Sequence, residues 1–202
     1  MKLTVPVIGI LRGVGEAFFA DLMTAAFDAG LQAIEVTMNT PDAERIVEKN
    51  LSRVPKGHYL GMGTIRNSDE AKRAVNAGAM FIVTPNTDTA VIEYAGTRNV
   101  PVIAGAFSPT EVYTAWQGGA QMVKIFPCGL LGPSYIRELR GPFDNIDLVA
   151  VGGVTPENLR DYFDAGARAV GASSALFGKT ALKERDLTTL AANVSAFIKA
   201  CP

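Results

Sequence analysis

Short apolar runs rich in β-branched residues alternate with amphipathic stretches along the whole chain, and eight such cycles can be counted. The apolar runs are too short for helices and predict strands; apolar positions three and four apart in the intervening stretches predict helices. Strands are expected at Val5–Leu11, Ala33–Met38, Tyr59–Ile65, Phe81–Thr84, Val100–Ala106, Met122–Phe126, Leu148–Val151 and Ala169–Ala172. Helices are expected at Glu16–Ala29, Pro41–Val54, Ser68–Ala77, Thr87–Arg98, Pro109–Gln117, Pro133–Arg140 and Pro156–Ala165, with Leu187–Ala200 last. Thr40 is a candidate N-cap ahead of Pro41 at the first helical position. Gly30, Gly78 and Gly166 stand where helices should close, each after an alanine, as if one unit repeats.

Strict strand–helix alternation requires right-handed crossovers and a parallel sheet. Eight such units predict a single-domain (β/α)8 TIM barrel over residues 1–202, with short loops because the length is small for that fold. The rival is a doubly wound open sheet. It would carry a nucleotide loop, and neither G-x-G-x-x-G after the first strand nor G-x-x-x-x-G-K-[ST] is present.

Four polar residues break the apolar pattern where strands end, the place where barrels keep their chemistry. Lys124 is the only lysine inside an apolar strand, in phase with Met122 and Phe126; Glu35 is the only acid inside one, in phase with Thr37. Arg12 ends the first strand in phase with Ile8 and Ile10, and Thr64 ends the third beside Gly61 and Gly63. Glu35 and Lys124 could form a structural ion pair across the core, and Arg12 could be a solvated residue beyond its strand. Taken together they read otherwise. Burial lowers a lysine's pKa and leaves a nucleophilic amine, and a lone carboxylate at the same mouth can shuttle protons as a carbinolamine loses water.

The loops after the seventh and eighth strands carry Gly152-Gly153 and Gly171-Ala172-Ser173-Ser174. In barrels this is the usual phosphate site, with backbone N–H groups approaching the anion and a serine hydroxyl assisting. Tight turn geometry alone would also explain a glycine pair. Tyr113 and Trp116 lie at helical spacing and are expected to pack, and His58 is expected in a loop or at a strand start.

Composition narrows the partners. Lys+Arg 19 against Asp+Glu 20 gives no basic footprint for nucleic acid or an anionic membrane. No run reaches the ~18 apolar residues of a membrane helix, and no signal-peptide cleavage pattern follows the N-terminal apolar stretch, so a cytoplasmic location is expected. Cys128 and Cys201 have neither metal-ligand spacing nor a disulfide framework around them.

Glu35-Val36-Thr37, Gly61-Met62-Gly63-Thr64, Thr84-Pro85-Asn86, Lys124-Ile125-Phe126-Pro127 and Val151-Gly152-Gly153-Val154 resemble, in order, the strand-end motifs of the 2-keto-3-deoxy-6-phospho-sugar-acid aldolases. These are class I aldolases of the KDPG type. The resemblance covers nearly the whole chain. It implies a homotrimeric barrel, with no metal or organic cofactor, that cleaves a phosphorylated keto acid into pyruvate and D-glyceraldehyde 3-phosphate. By position, Lys124 resembles the Schiff-base lysine, Glu35 the general acid/base and Thr64 the threonine beside the pyruvate carboxylate. Gly152, Gly153, Ser173 and Ser174 resemble the phosphate cradle. Gluconate-type members often carry an arginine four residues after the glutamate, where this chain has Asn39, and a threonine where it has Val151. Arg12 could supply the missing charge. Both departures resemble the 2-dehydro-3-deoxy-6-phosphogalactonate aldolases, which act on the C4 epimer. Other readings are a gluconate-type or 4-hydroxy-2-oxoglutarate aldolase, a sugar-phosphate epimerase or isomerase, or a non-catalytic sugar-phosphate-binding barrel.

Overall fold

The computed structural model describes residues 1–202. Eight parallel strands close in sequence order into a barrel: β1 (Val7–Leu11), β2 (Ala33–Thr37), β3 (Tyr59–Gly63), β4 (Ile82–Val83), β5 (Val102–Ala106), β6 (Met122–Ile125), β7 (Leu148–Val151) and β8 (Ala169–Ala172). Around it run α1 (Glu16–Asp28), α2 (Ala43–Asn50), α3 (Ser68–Asn76), α4 (Thr89–Thr97), α5 (Pro109–Gln117), α6 (Gly132–Arg140) and α7 (Leu159–Asp164). After β8 come α8 (Ser174–Phe177), α9 (Lys179–Glu184) and α10 (Leu187–Lys199).

Successive strand residues point to opposite faces, so the apolar residues sort into two cores. The larger, of 53 buried residues, lies between the outer strand faces and the helices. The smaller fills the barrel with 9, among them Ile8, Phe81, Val83, Ile103, Met122 and Val149. The register sets Ile10 beside Glu35, Glu35 beside Gly61, and Lys124 between Gly105 and Val149. Met1, Leu3 and Tyr59 pack against the inner core from the N-terminal ends of the strands. The Thr4 N–H donates to Gln32 Oε1 at 2.8 Å and the Met1 ammonium to Gln121 Oε1 at 3.0 Å, tying this segment under the barrel floor.

Several boundaries differ from the sequence expectation for local reasons. Thr40 does not cap α2. That helix starts at Ala43 behind Asp42, whose φ is 56°, and the Thr40 hydroxyl is engaged elsewhere. The third helix does start at Ser68 as expected, capped by Asn67, whose side chain accepts the Glu70 N–H. The third strand stops at Gly63 because Thr64 turns to a φ of 58°. The fourth shortens to Ile82–Val83, and α4 begins after its Asp88 cap. The short helices α8 and α9 had no visible period; they are held by burying Leu176, Phe177 and Ala181. At α5 the expected start is met in full: Ser108 and Glu111 form a capping box around Pro109.

Candidate active site

Lys124 lies on the inward face of β6 and is only 6% exposed. Its ammonium sits 4.8 Å from the centroid of the Phe126 ring, the next side chain on the same face and itself exposed at the mouth. Burial lowers the lysine's pKa, the Glu35 charge opposes that, and the Arg12 guanidinium adds to it.

Glu35 lies on the inward face of β2 and is 2% exposed. Its room comes from β3: a Cβ on Gly63 would stand 2.4 Å from the Glu35 Cδ, so only glycine fits there. Oε2 has no hydrogen-bond partner. A buried oxygen without a partner is costly in a folded core and is available to a ligand or water. Burial raises the carboxyl to about 7, against the pull of Lys124 and then Arg12. Both protonation states are therefore populated near neutral pH, the condition for a group that must take and return protons. None of the molecule's ion pairs contains Lys124 or Glu35, so the two act on each other through the low-dielectric interior and not as a closed salt bridge.

Thr64 follows Gly63 with φ at 58°, a left-handed conformation that β-branched residues rarely adopt. Neighbouring strands hold it there: the Met38 N–H donates to the Gly63 carbonyl at 2.7 Å and the Ile65 N–H to the Val83 carbonyl at 3.2 Å. Arg12 is exposed just past β1, but its charge reaches both buried groups. Its loop is clipped to the β2 loop, where the buried Thr40 hydroxyl accepts the Gly13 N–H at 2.9 Å and meets Thr37 Oγ1 at 3.0 Å. Asn39 between them is exposed.

Gly152 and Gly153 both have positive φ, 92° and 79°. The close approach is real at Gly153, where a Cβ would lie 2.8 Å from Gly129 Cα, and the Gly129 N–H donates to the Gly152 carbonyl at 2.7 Å. Asn158 fixes the turn, donating from Nδ2 to the Gly153 carbonyl at 2.9 Å and accepting the Thr155 N–H at 2.8 Å. On the adjacent strand, Val151 pairs with Gly171, and Ser173 and Ser174 follow at the start of α8. Val151 is buried, and a Cβ on Gly171 would press on it at 2.8 Å.

The structure thus gathers the expected residues at one barrel mouth. It adds Phe126, Gly63 and the Thr37–Thr40–Gly13 clip. The glycine spacing in Gly61-Met62-Gly63 was a visible signal for the second; the clip joins residues on two loops and had none. Tyr113 and Trp116, expected to pack, do so only in part: their rings lie 5.9 Å apart on α5 and Tyr113 stacks on Phe143 at 6.0 Å between centroids, but both stay exposed. The His58 ring packs on Phe27, 4.8 Å between centroids. The Cys128 thiol is buried and pushed up to about 11, far from a reactive thiolate. A groove of about 810 Å³ opens at the strand N-termini beside Met1 and Arg168, the end of a barrel that serves stability.

A closed parallel barrel carrying a buried amine and a buried carboxylate on separate strands at one mouth is a scaffold for imine chemistry. Residues 2–193 match the KDPG and KHG aldolase family, and the chain belongs to that family. It is 35% identical over 196 residues to the 2-dehydro-3-deoxy-6-phosphogalactonate aldolase of Escherichia coli (strain K12), covering 96% of each chain. It is 35% identical over 192 residues to a probable enzyme of the same name from Rhizobium meliloti, covering 93% of this chain and 91% of that one. A 2-dehydro-3-deoxy-phosphogluconate aldolase of Pseudomonas aeruginosa is 32% identical over 158 residues, 78% of this chain and 70% of its own. Among solved structures, a native KDPGal structure superposes with a TM-score of 0.92 at 33% identity, covering 99% of this chain and 96% of that one.

Proposed function

We propose that this protein is a class I aldolase that cleaves 2-dehydro-3-deoxy-6-phosphogalactonate to pyruvate and D-glyceraldehyde 3-phosphate. The observation that carries the reading is the pair Lys124 and Glu35, each buried in the barrel mouth, the carboxyl raised to about 7. The neutral Lys124 amine attacks the C2 ketone to give a carbinolamine. Glu35 protonates the departing hydroxyl, and water leaves with formation of the iminium. The iminium draws the electron pair of the C3–C4 bond as that bond breaks. Glu35, now a carboxylate, takes the C4 hydroxyl proton and glyceraldehyde 3-phosphate departs. The enamine is protonated at C3, and water hydrolyses the imine to pyruvate and the free lysine.

Arg12 and Thr64 hold the carboxylate end; Gly152, Gly153, Ser173 and Ser174 hold the phosphate, so that remote binding energy positions the reacting bond. Val151 supports the galactonate epimer: it is buried in the inner core where a hydroxyl donor would otherwise meet C4 substituents. A missing hydrogen bond of that kind shifts preference by roughly 1–3 kcal/mol. In the same reading the protein is a homotrimer acting in the cytoplasm.

Sodium borohydride with pyruvate should trap wild type as a stable adduct, seen by mass spectrometry, and leave Lys124→Ala unmodified. Equal adduct on both proteins would end the assignment. Turnover compared on the galactonate and gluconate epimers then decides the substrate.

A further inference from the structure

Beside the mouth, the β1–α1 loop and the α8–α9–α10 turn enclose a groove of about 420 Å³. Four cations line it: Arg12, Lys179, Lys183 and Arg185. No acid lines it, although the chain as a whole has 19 basic and 20 acidic residues. None of the four takes part in an ion pair. Glu184, between Lys183 and Arg185 in sequence, is exposed and does not line the groove, and two other nearby carboxylates are committed elsewhere. Glu16 pairs with Arg45 and Lys49, and Asp186 caps α10, accepting from the Thr189 N–H at 3.0 Å and from its hydroxyl.

Arg185 is held in place: its φ is 58°, and its guanidinium lies 5.9 Å from the Phe18 ring centroid. Four uncompensated like charges around one concavity repel each other and destabilise the fold unless an anion shares the space. Two lining residues, Arg12 and Ser174, also belong to the proposed substrate site, so the groove is continuous with it.

We propose that this groove is an accessory phosphate-ester site, which captures the dianionic end of the substrate at the rim before the phosphate settles in the Gly152–Gly153 and Ser173–Ser174 cradle. Lys179, Lys183 and Arg185 are its working residues. The inference rests on the aldolase reading for the identity of the ester, but not for the binding of a phosphate dianion. The site favours phosphorylated over unphosphorylated keto acids through association, and it leaves the chemical step alone. Its effect is electrostatic and screened, since the Debye length falls from about 10 Å at 0.1 M salt to about 3 Å at 1 M.

The test uses the triple variant K179Q/K183Q/R185Q, whose changes all lie on exposed side chains. In an amide NMR titration with inorganic phosphate at low ionic strength, groove resonances of wild type should shift saturably, and in the variant saturation should move roughly tenfold higher. No saturable shift, or identical saturation in both proteins, overturns the proposal. In kinetics, the variant's kcat/KM on the phosphorylated keto acid should fall roughly tenfold at low ionic strength with kcat unchanged, and meet wild type at 1 M salt. The unphosphorylated 2-keto-3-deoxygalactonate should be cleaved alike by both. Equal losses on the two substrates would also overturn it. A wild type without aldolase activity would defeat the functional reading, and the phosphate titration would still decide the groove.

Discussion

At the residue scale, Glu35 is where function and stability conflict. Its carboxyl titrates about 7 in the folded protein against an ordinary 4.5. The folded state therefore holds its proton more tightly than the unfolded chain, and stability falls as pH rises from 4.5 through 7. At about 1.4 kcal/mol per pKa unit, the full loss above pH 7 is about 3 kcal/mol. Glu35→Gln removes the titration. It should be more stable than wild type at pH 8 by about that amount, with the gap closing as pH falls toward 4.5. Chemical denaturation across this range measures it, and parallel stability–pH curves for the two proteins would refute the raised pKa. The same variant should lose turnover, as expected where a destabilising group is kept for its chemistry.

At the scale of elements, the mouth is organised by loops that brace one another. The Thr40 hydroxyl joins the β1 loop to the β2 loop through Gly13 and Thr37, and so sets the loop that carries Arg12. Thr40→Val keeps the shape and leaves the Gly13 N–H without its partner. A loss of roughly 1–3 kcal/mol in stability is expected, together with a several-fold rise in KM and retained borohydride trapping by pyruvate. A variant with unchanged KM would show that the clip does not position Arg12. The β4–β5 end has a comparable brace: Thr84 accepts the Gly105 N–H at 2.9 Å and donates to the Asn86 carbonyl at 2.6 Å. There the Thr84-Pro85-Asn86 turn lies so close that a Cβ on Gly105 would stand 2.4 Å from the Pro85 carbonyl carbon.

At the scale of the molecule, the two ends of the barrel divide the work. The floor is closed by the N-terminal segment and its hydrogen bonds, and the mouth holds the unpaired charge. One flank of the barrel, along α5 and the loop after β6, is also apolar: Phe107, Tyr113, Trp116, Leu130 and Leu131 are exposed, and the Phe107 and Tyr135 rings are tilted together with centroids 6.3 Å apart. Exposed aromatic groups on adjoining elements suit contact between copies. Sedimentation equilibrium should give three protomer masses, and Trp116→Glu should shift the distribution toward monomer. A wild-type monomer at working concentration would end the trimer reading.

Strand–helix alternation, read from the chain alone, determined the barrel, because parallel strands with helical crossovers leave few ways to bury both faces. It also located Lys124 and Glu35, since a single charge in a period-two apolar run is conspicuous without any neighbour. What the sequence did not carry were relations between distant residues. That Gly63 exists to make room for Glu35, that Thr40 serves a loop and not a helix start, and that Arg12 shares a groove with Lys179, Lys183 and Arg185 all depend on barrel closure. Closure brings β1 beside β8, and desolvation then sets the pKa of each buried group according to what surrounds it. Residue types are written locally; the electric field and the free volume at the mouth are sums over the whole fold.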